Sequence, residues 1–98
     1  MVLIKHKENG HIECLYDSSN ILGSKYIVNE KKLAIIFNSG RQYVYEGVTF
    51  IDYTKFESSE SQGKLLHSVI KKYAYSQSKE IVDVKPMIEQ INSIKETL

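Results

Sequence analysis

One segment of the chain combines several cations with no acidic side chain. Within residues 61–79 there is no aspartate or glutamate, and the lysines are Lys64, Lys71, Lys72 and Lys79, with His67 among them. Clustered cations of this kind can hold the phosphates of a nucleic acid or a nucleotide. The charged residues of the preceding stretch, 46–60, are mainly acidic. Positive and negative charges are therefore separated along the chain, although the formal net charge is only +1.

There are therefore five candidate phosphate-binding residues. Four of them belong to the segment 61–79, and the fifth is an arginine that follows a predicted hairpin turn. They are Arg41, Lys64, His67, Lys71 and Lys72. The alternative is an ordinary solvated helix face, because a helix favours cations toward its C-terminal end through its dipole.

Aromatic residues offer a second kind of chemistry. Tyr43 and Tyr45 alternate on one predicted strand, and aromatic rings on a sheet can stack nucleic-acid bases. The competing interpretation is that they pack beneath helices, with their hydroxyl groups reaching polar partners. We expect packing in the core, because the predicted register places both rings on the face of Leu33, Ile35 and Phe37.

Metal binding and catalysis have weaker support. His6, His11 and Cys14 lack the fourth ligand that a structural zinc site normally has. Ser18, Ser19, His67 and Asp52 form no recognisable nucleophile motif, and the glycines are dispersed rather than gathered into a phosphate-binding loop. We predict no metal, no cofactor and no enzymatic activity.

The segment that organises the chain is a predicted β-hairpin over residues 33–45. Its arms are rich in β-branched and aromatic residues, and Asn38-Ser39-Gly40 lies between them. Gly40 is suited to the positive φ that a three-residue hairpin loop requires. This turn would place Ile35 opposite Tyr43 and Leu33 opposite Tyr45. The second face is also largely apolar, so we expect both faces of the sheet to be covered.

The flanking segments predict further strands and three helices. Asn9-Gly10 marks an N-terminal hairpin, and a strand over 21–28 would pair with the central hairpin through a loop at 29–32, with Val28 opposite Leu33. Thr49 begins a helix that runs to about Glu57, and Ser59 with Gln62 has the spacing of a capping box for the next helix. Residues 74–80 are polar and are predicted to be a linker.

A C-terminal helix follows Pro86, which suits the first turn of a helix. Its apolar stripe consists of Met87, Ile91, Ile94 and Leu98. Because such a short helix is marginal alone in water, the stripe must dock, either on the second sheet face or on another copy of the chain or a partner protein.

Length and composition indicate one small globular domain of 98 residues with a modest core. The chain has one cysteine, so it can form no internal disulfide, and its apolar N-terminal run is too short for a signal peptide or membrane span. We expect a cytoplasmic protein that does not contact membranes.

Residues 17–73 resemble the KTSC domain, a module found alone in bacterial and viral proteins and at the C-terminus of some lysyl-tRNA synthetases. The resemblance is carried by an ordered set of motifs: Ser18-Ser19-Asn20-Ile21, Tyr26, Leu33-x-Ile35-x-Phe37, Gly40, Tyr43-Val44-Tyr45, Gly47-Val48, Ser61-x-Gly63-Lys64, Ile70-Lys71 and Tyr73. It implies a strand meander followed by two short helices, and a role in RNA binding. Leu66-His67 departs from the pattern, which usually has an aromatic residue followed by Asn.

The predicted fold is α+β: an antiparallel β-meander packed on two short helices, with an added N-terminal hairpin over 1–16 and a C-terminal helical extension over 81–98. The predicted function is a binding module for RNA or another nucleic acid. Two alternatives remain open. One is a protein-interaction module through which a virus or mobile element modulates a host protein. The other is a homo-oligomer that sequesters a small nucleotide.

Overall fold

The computed structural model describes residues 1–97 and consists of one antiparallel sheet with helices on both faces. Six strands follow one another in chain order across the sheet: β1 (Val2–Glu8), β2 (His11–Tyr16), β3 (Ile21–Ile27), β4 (Lys32–Phe37), β5 (Gln42–Tyr45) and β6 (Tyr75–Gln77). The predicted α+β meander is confirmed. The N-terminal hairpin is part of the same sheet, because β2 pairs directly with β3.

The central hairpin has the register that its turn predicts. Ile35 pairs with Tyr43 and Leu33 with Tyr45, and Gly40 has a φ of 88°. Leu33, Ile35 and Tyr45 are buried on the first sheet face, as expected.

Two helices and a 3₁₀ turn cover this first face. They are α1 (Phe50–Ser58), α2 (Gln62–Ser68) and the 3₁₀ turn Ile70–Lys72. The ring of Tyr53 stacks on Tyr26 with centroids 4.2 Å apart, and Phe56 meets Tyr16 edge-on at 5.6 Å. These four rings are almost completely buried, so they anchor α1 to the sheet.

Buried polar groups beneath α1 have partners. The hydroxyl of Tyr53 donates to Glu57 at 2.9 Å, and the ammonium of Lys5 pairs with the same carboxylate at 3.1 Å. The hydroxyl groups of Tyr16 and Ser24 lie 2.7 Å apart. In the part of the chain that the structure describes, every buried side-chain nitrogen or oxygen has a hydrogen-bond partner, so polar side chains enter the core without a large energetic cost.

The third helix, α3 (Lys85–Thr97), lies on the second sheet face. A Cβ atom at Gly23 would approach the Cε of Met87 within 3.0 Å, and Lys95 forms an ion pair with Asp17 at 2.7 Å. Ile91 is buried on this side of the sheet. The C-terminal helix therefore docks within the chain, which is one of the two arrangements predicted.

Three local predictions were wrong. The loop before β4 spans residues 28–31, and the register of β3 on β4 is shifted by two residues, since Tyr26 rather than Val28 pairs with Leu33; Lys31 in the loop adopts a φ of 53°. Because the shift is even, Tyr26 still faces the core. The N-cap of α2 is Ser61, whose hydroxyl accepts from the amide of Lys64, rather than Ser59.

The third wrong prediction is the linker over 74–80. Residues 75–77 form the edge strand β6, in which Tyr75 pairs with Tyr45 and Gln77 with Tyr43. The chain then passes the β4–β5 turn, where the amide of Val82 donates to the carbonyl of Gly40 at 2.8 Å. A Cβ atom at Gly40 would lie 2.6 Å from the Val82 carbonyl oxygen, so the close approach as well as the positive φ requires glycine.

Candidate nucleic-acid interface

A cleft of about 540 Å³ lies between the central hairpin and the end of α2. Its walls come from the β2–β3 connection, the β4–β5 turn, strand β5, α2 and the 3₁₀ turn. The lining residues are Ser19, Asn20, Phe37, Asn38, Ser39, Arg41, Tyr43, Tyr45, Leu66, His67 and Lys71. None of these described residues is acidic, so the cleft has a positive local charge in a nearly neutral protein.

Three of the five predicted phosphate-binding residues meet in this cleft. Arg41 follows the hairpin turn, where its carbonyl accepts from the amide of Phe37 at 2.9 Å. His67 belongs to the last turn of α2, and Lys71 to the 3₁₀ turn. All three side chains are exposed, so their polar ends can reach a ligand.

The floor and one wall of the cleft are apolar or aromatic. Leu66 and Tyr45 are buried, whereas Tyr43 and Phe37 are half-buried and meet edge-on at 5.4 Å. The prediction that both tyrosines pack in the core therefore holds for Tyr45, while Tyr43 also presents part of its ring to the cleft.

Asn20 and Asn38 line the same cleft and were not singled out from the sequence. The side-chain amide of Asn38 donates to the carbonyl of Ser19 at 2.8 Å, and its backbone amide donates to Asn20 at 2.9 Å. These bonds tie the hairpin turn to the β2–β3 connection. The available signal was the position of each asparagine in a turn, and Asn20 is itself one of the residues that carry the KTSC resemblance.

The other two predicted cations lie elsewhere. Lys64 is exposed near the start of α2 and does not line the cleft. Lys72 pairs with the carboxylate of Asp52 at 2.9 Å and lies over the ring of Tyr73, 5.3 Å from its centroid. The structure does not place Lys72 in the cleft with Arg41 and Lys71, because consecutive residues of a 3₁₀ turn point in different directions.

Asp52 connects α1 to the 3₁₀ turn. Its backbone amide donates to the N-cap hydroxyl of Thr49, and its carboxylate accepts from the hydroxyl of Tyr73. The hydrogen bond from Tyr73 and the contact with Lys72 hold the pKa of the Asp52 carboxyl below its ordinary value. This carboxylate therefore fixes the segment that carries Lys71.

Comparison with known proteins identifies the fold family. The model of the KTSC domain matches residues 17–75, which is more than half of the chain. The chain belongs to the KTSC domain family. The crystal structure of a KTSC domain protein from Yersinia pestis is similar to it, with a TM-score of 0.64 and 30% identity over 67% of this chain and 94% of that one. No curated protein matches.

The KTSC match includes every residue that lines the cleft, and it ends at Tyr75. Strands β1 and β2 and helix α3 lie outside the matched residues. The additions therefore extend the sheet and cover its second face, while the cleft is formed by the family's own part of the chain.

The second predicted site, the stripe of the C-terminal helix, faces the protein's own sheet. Ile91 is buried, and Met87 and Ile94 are half-buried. Leu98, the fourth member, lies outside the described residues. Self-association or partner binding through this stripe stays a prediction, and it would require Ile91 to leave its present contacts.

His6, His11 and Cys14 do not converge. Cys14 is buried on the first face of the sheet, where burial raises the pKa of its thiol, whereas His6 and His11 are exposed. Among residues 1–97, no group of three or more histidine, cysteine or acidic side chains is arranged to hold a metal ion. No helix of the described part of the chain is long and apolar enough to cross a membrane.

Proposed function

We propose that this KTSC protein is a non-enzymatic module that binds RNA through the cleft. The observation that carries the proposal is the meeting of Arg41, His67 and Lys71 around one concavity whose described lining contains no carboxylate. Cations supply most of the affinity of such sites, because they bind phosphates and release condensed counterions.

The residues that line the cleft favour a nucleic acid over a free anion as the ligand. Arg41 and Lys71 lie beside the half-buried ring of Tyr43, so phosphate-binding and aromatic surfaces adjoin. Proteins that bind unpaired RNA combine the same two features, with backbone contacts to cations and bases stacked on aromatic rings. Asn20 and Asn38 add amide groups that can bind ribose hydroxyls or base edges.

The alternative function, sequestration of a small nucleotide, would use the same side chains, and the binding experiment below distinguishes it from RNA binding. The protein is also proposed to act in the cytoplasm, since Cys14 is a buried free thiol and needs no oxidising compartment.

The test is a fluorescence anisotropy titration of a labelled single-stranded RNA of about 12 nucleotides, performed at about 50 mM and about 200 mM salt. Two or three phosphate contacts to a single strand give a slope of log affinity against log salt of about −1.4 to −2.1. We therefore expect the affinity to fall roughly 10-fold between the two salt concentrations.

A mononucleotide competitor is the matched control in this experiment. Displacement of the RNA by an equimolar mononucleotide would favour the nucleotide-sequestering alternative. Absence of binding at the lower salt concentration, or binding that does not change with salt, would contradict the proposal.

A further inference from the structure

Tyr75 leaves a large aromatic ring exposed at the edge of the sheet. The residue is 58% exposed, although its strand pairs it with the buried Tyr45. Strand β6 has only three residues, all of them exposed. The ring therefore lies on the surface beside the cleft, outside the residues that line it.

The ring of Tyr75 continues a run of aromatic side chains that begins inside the cleft. It is nearly parallel to Tyr43, with an angle of 4° and centroids 5.3 Å apart. Tyr43 in turn meets Phe37 edge-on. We call Phe37, Tyr43 and Tyr75 the aromatic ladder. Tyr75 stacks on one face of Tyr43 and is itself 58% exposed, so at this end of the ladder the ring available to a base is that of Tyr75.

We propose that Tyr75 is the stacking platform for an unpaired base, and that the ligand is a single strand of at least two nucleotides rather than a mononucleotide. This inference rests on the proposed function and names its ligand class. The cations of the cleft hold phosphate, while the ring that receives the base lies outside the cleft, so the ligand must reach both places.

An exposed ring of this kind favours an unpaired base over a base-paired ligand. Bases within a duplex already stack on their neighbours, whereas an unpaired base can be turned out onto an aromatic ring. The interaction does not depend on the base, since every base has a π face, so we expect binding with little sequence preference.

The experiment compares three chains in the RNA titration: the wild type, Tyr75→Leu and Tyr75→Phe. Leucine keeps an apolar contact with Tyr43 and Tyr45 but removes the ring, and phenylalanine keeps the ring without the hydroxyl. We expect Tyr75→Leu to bind single-stranded RNA about 5- to 150-fold more weakly, which is the range for loss of one stacked base. Tyr75→Phe should bind within about 2-fold of the wild type.

A second readout separates stacking from a structural role. Because the cations remain in place, Tyr75→Leu should retain the salt dependence of the wild type while its affinity falls. A duplex of the same sequence should bind the wild type and Tyr75→Leu equally. Thermal unfolding of each variant checks that the substitution does not destabilise the fold.

The outcomes distinguish this inference from the proposed function. If Tyr75→Leu binds RNA as tightly as the wild type, or a mononucleotide binds as tightly as the strand, the platform is refuted while salt-dependent binding at the cleft still stands. If the wild-type protein binds no RNA, both proposals are refuted.

Discussion

Reversing two charges in the cleft, by Arg41→Glu with Lys71→Glu, should reduce RNA affinity about 30-fold or more at about 50 mM salt. Each substitution removes a phosphate contact and adds a repulsive carboxylate, so the two effects together reach at least about 2 kcal/mol. Both side chains are exposed, and neither forms an ion pair with another residue of the range 1–97, so the fold should tolerate the change. Anisotropy titration of the labelled RNA measures the loss.

The matched control is Lys7→Glu with Lys85→Glu, which changes the net charge by the same amount. Both lysines are exposed, they lie on β1 and at the start of α3, and neither of them lines the cleft. This variant should bind RNA within a few-fold of the wild type, in line with its weaker overall attraction. Equal losses in the two double variants would mean that net charge, rather than the cleft, determines binding.

The largest effect on stability is expected for Phe56→Ala. The ring of Phe56 is completely buried and packs edge-on against Tyr16. Its removal leaves a cavity between α1 and the sheet, and such substitutions cost about 3–5 kcal/mol of unfolding free energy. For a domain of this size the melting temperature should fall by roughly 12 °C or more.

Phe50→Ala provides the control for this measurement. Phe50 begins the same helix but is 48% exposed, so the same chemical change removes far less packing. We expect it to cost about 1 kcal/mol or less in a denaturant titration. If the two variants unfold alike, the assignment of Phe56 to the core is wrong.

The central hairpin was predictable from the sequence because its signals are local and agree. Turn residues at 38–40 determine the register of the strands on either side, and the alternation of side chains then identifies the buried face. The observed pairs, Ile35 with Tyr43 and Leu33 with Tyr45, follow from that turn alone. Helix α1 was equally predictable from the sequence, since Thr49 is a strong N-cap and the helix begins at Phe50.

Strand β6 was not predictable, because nothing within residues 75–77 specifies a strand. Its three residues are polar or exposed, and they are extended because the edge of β5 is available to pair with them. The position of α3 could not be predicted for a similar reason. Its apolar stripe indicates that the helix must dock, but not on which surface. The observed docking on the sheet requires Gly23, which lets Met87 approach closely.

The candidate site was predicted only in part. The basic segment and Arg41 together suggested five binding side chains, of which the fold brings Arg41, His67 and Lys71 together. Lys71 and Lys72 both belong to the 3₁₀ turn, where consecutive side chains point in different directions. Lys72 pairs with Asp52 instead of lining the cleft, a contact that a charge pattern does not reveal. Tyr75 was considered part of a linker, and only its pairing with Tyr45 places it beside the cleft.

The most direct test of the central proposal is chemical-shift mapping by NMR, with ¹⁵N-labelled protein titrated with the single-stranded RNA at about 50 mM salt. The account predicts that the largest shift changes occur in residues 19–20, 38–43, 66–71 and 75, around the cleft and the aromatic ladder. Changes concentrated instead on α3 and the second sheet face, or no changes at all, would contradict it.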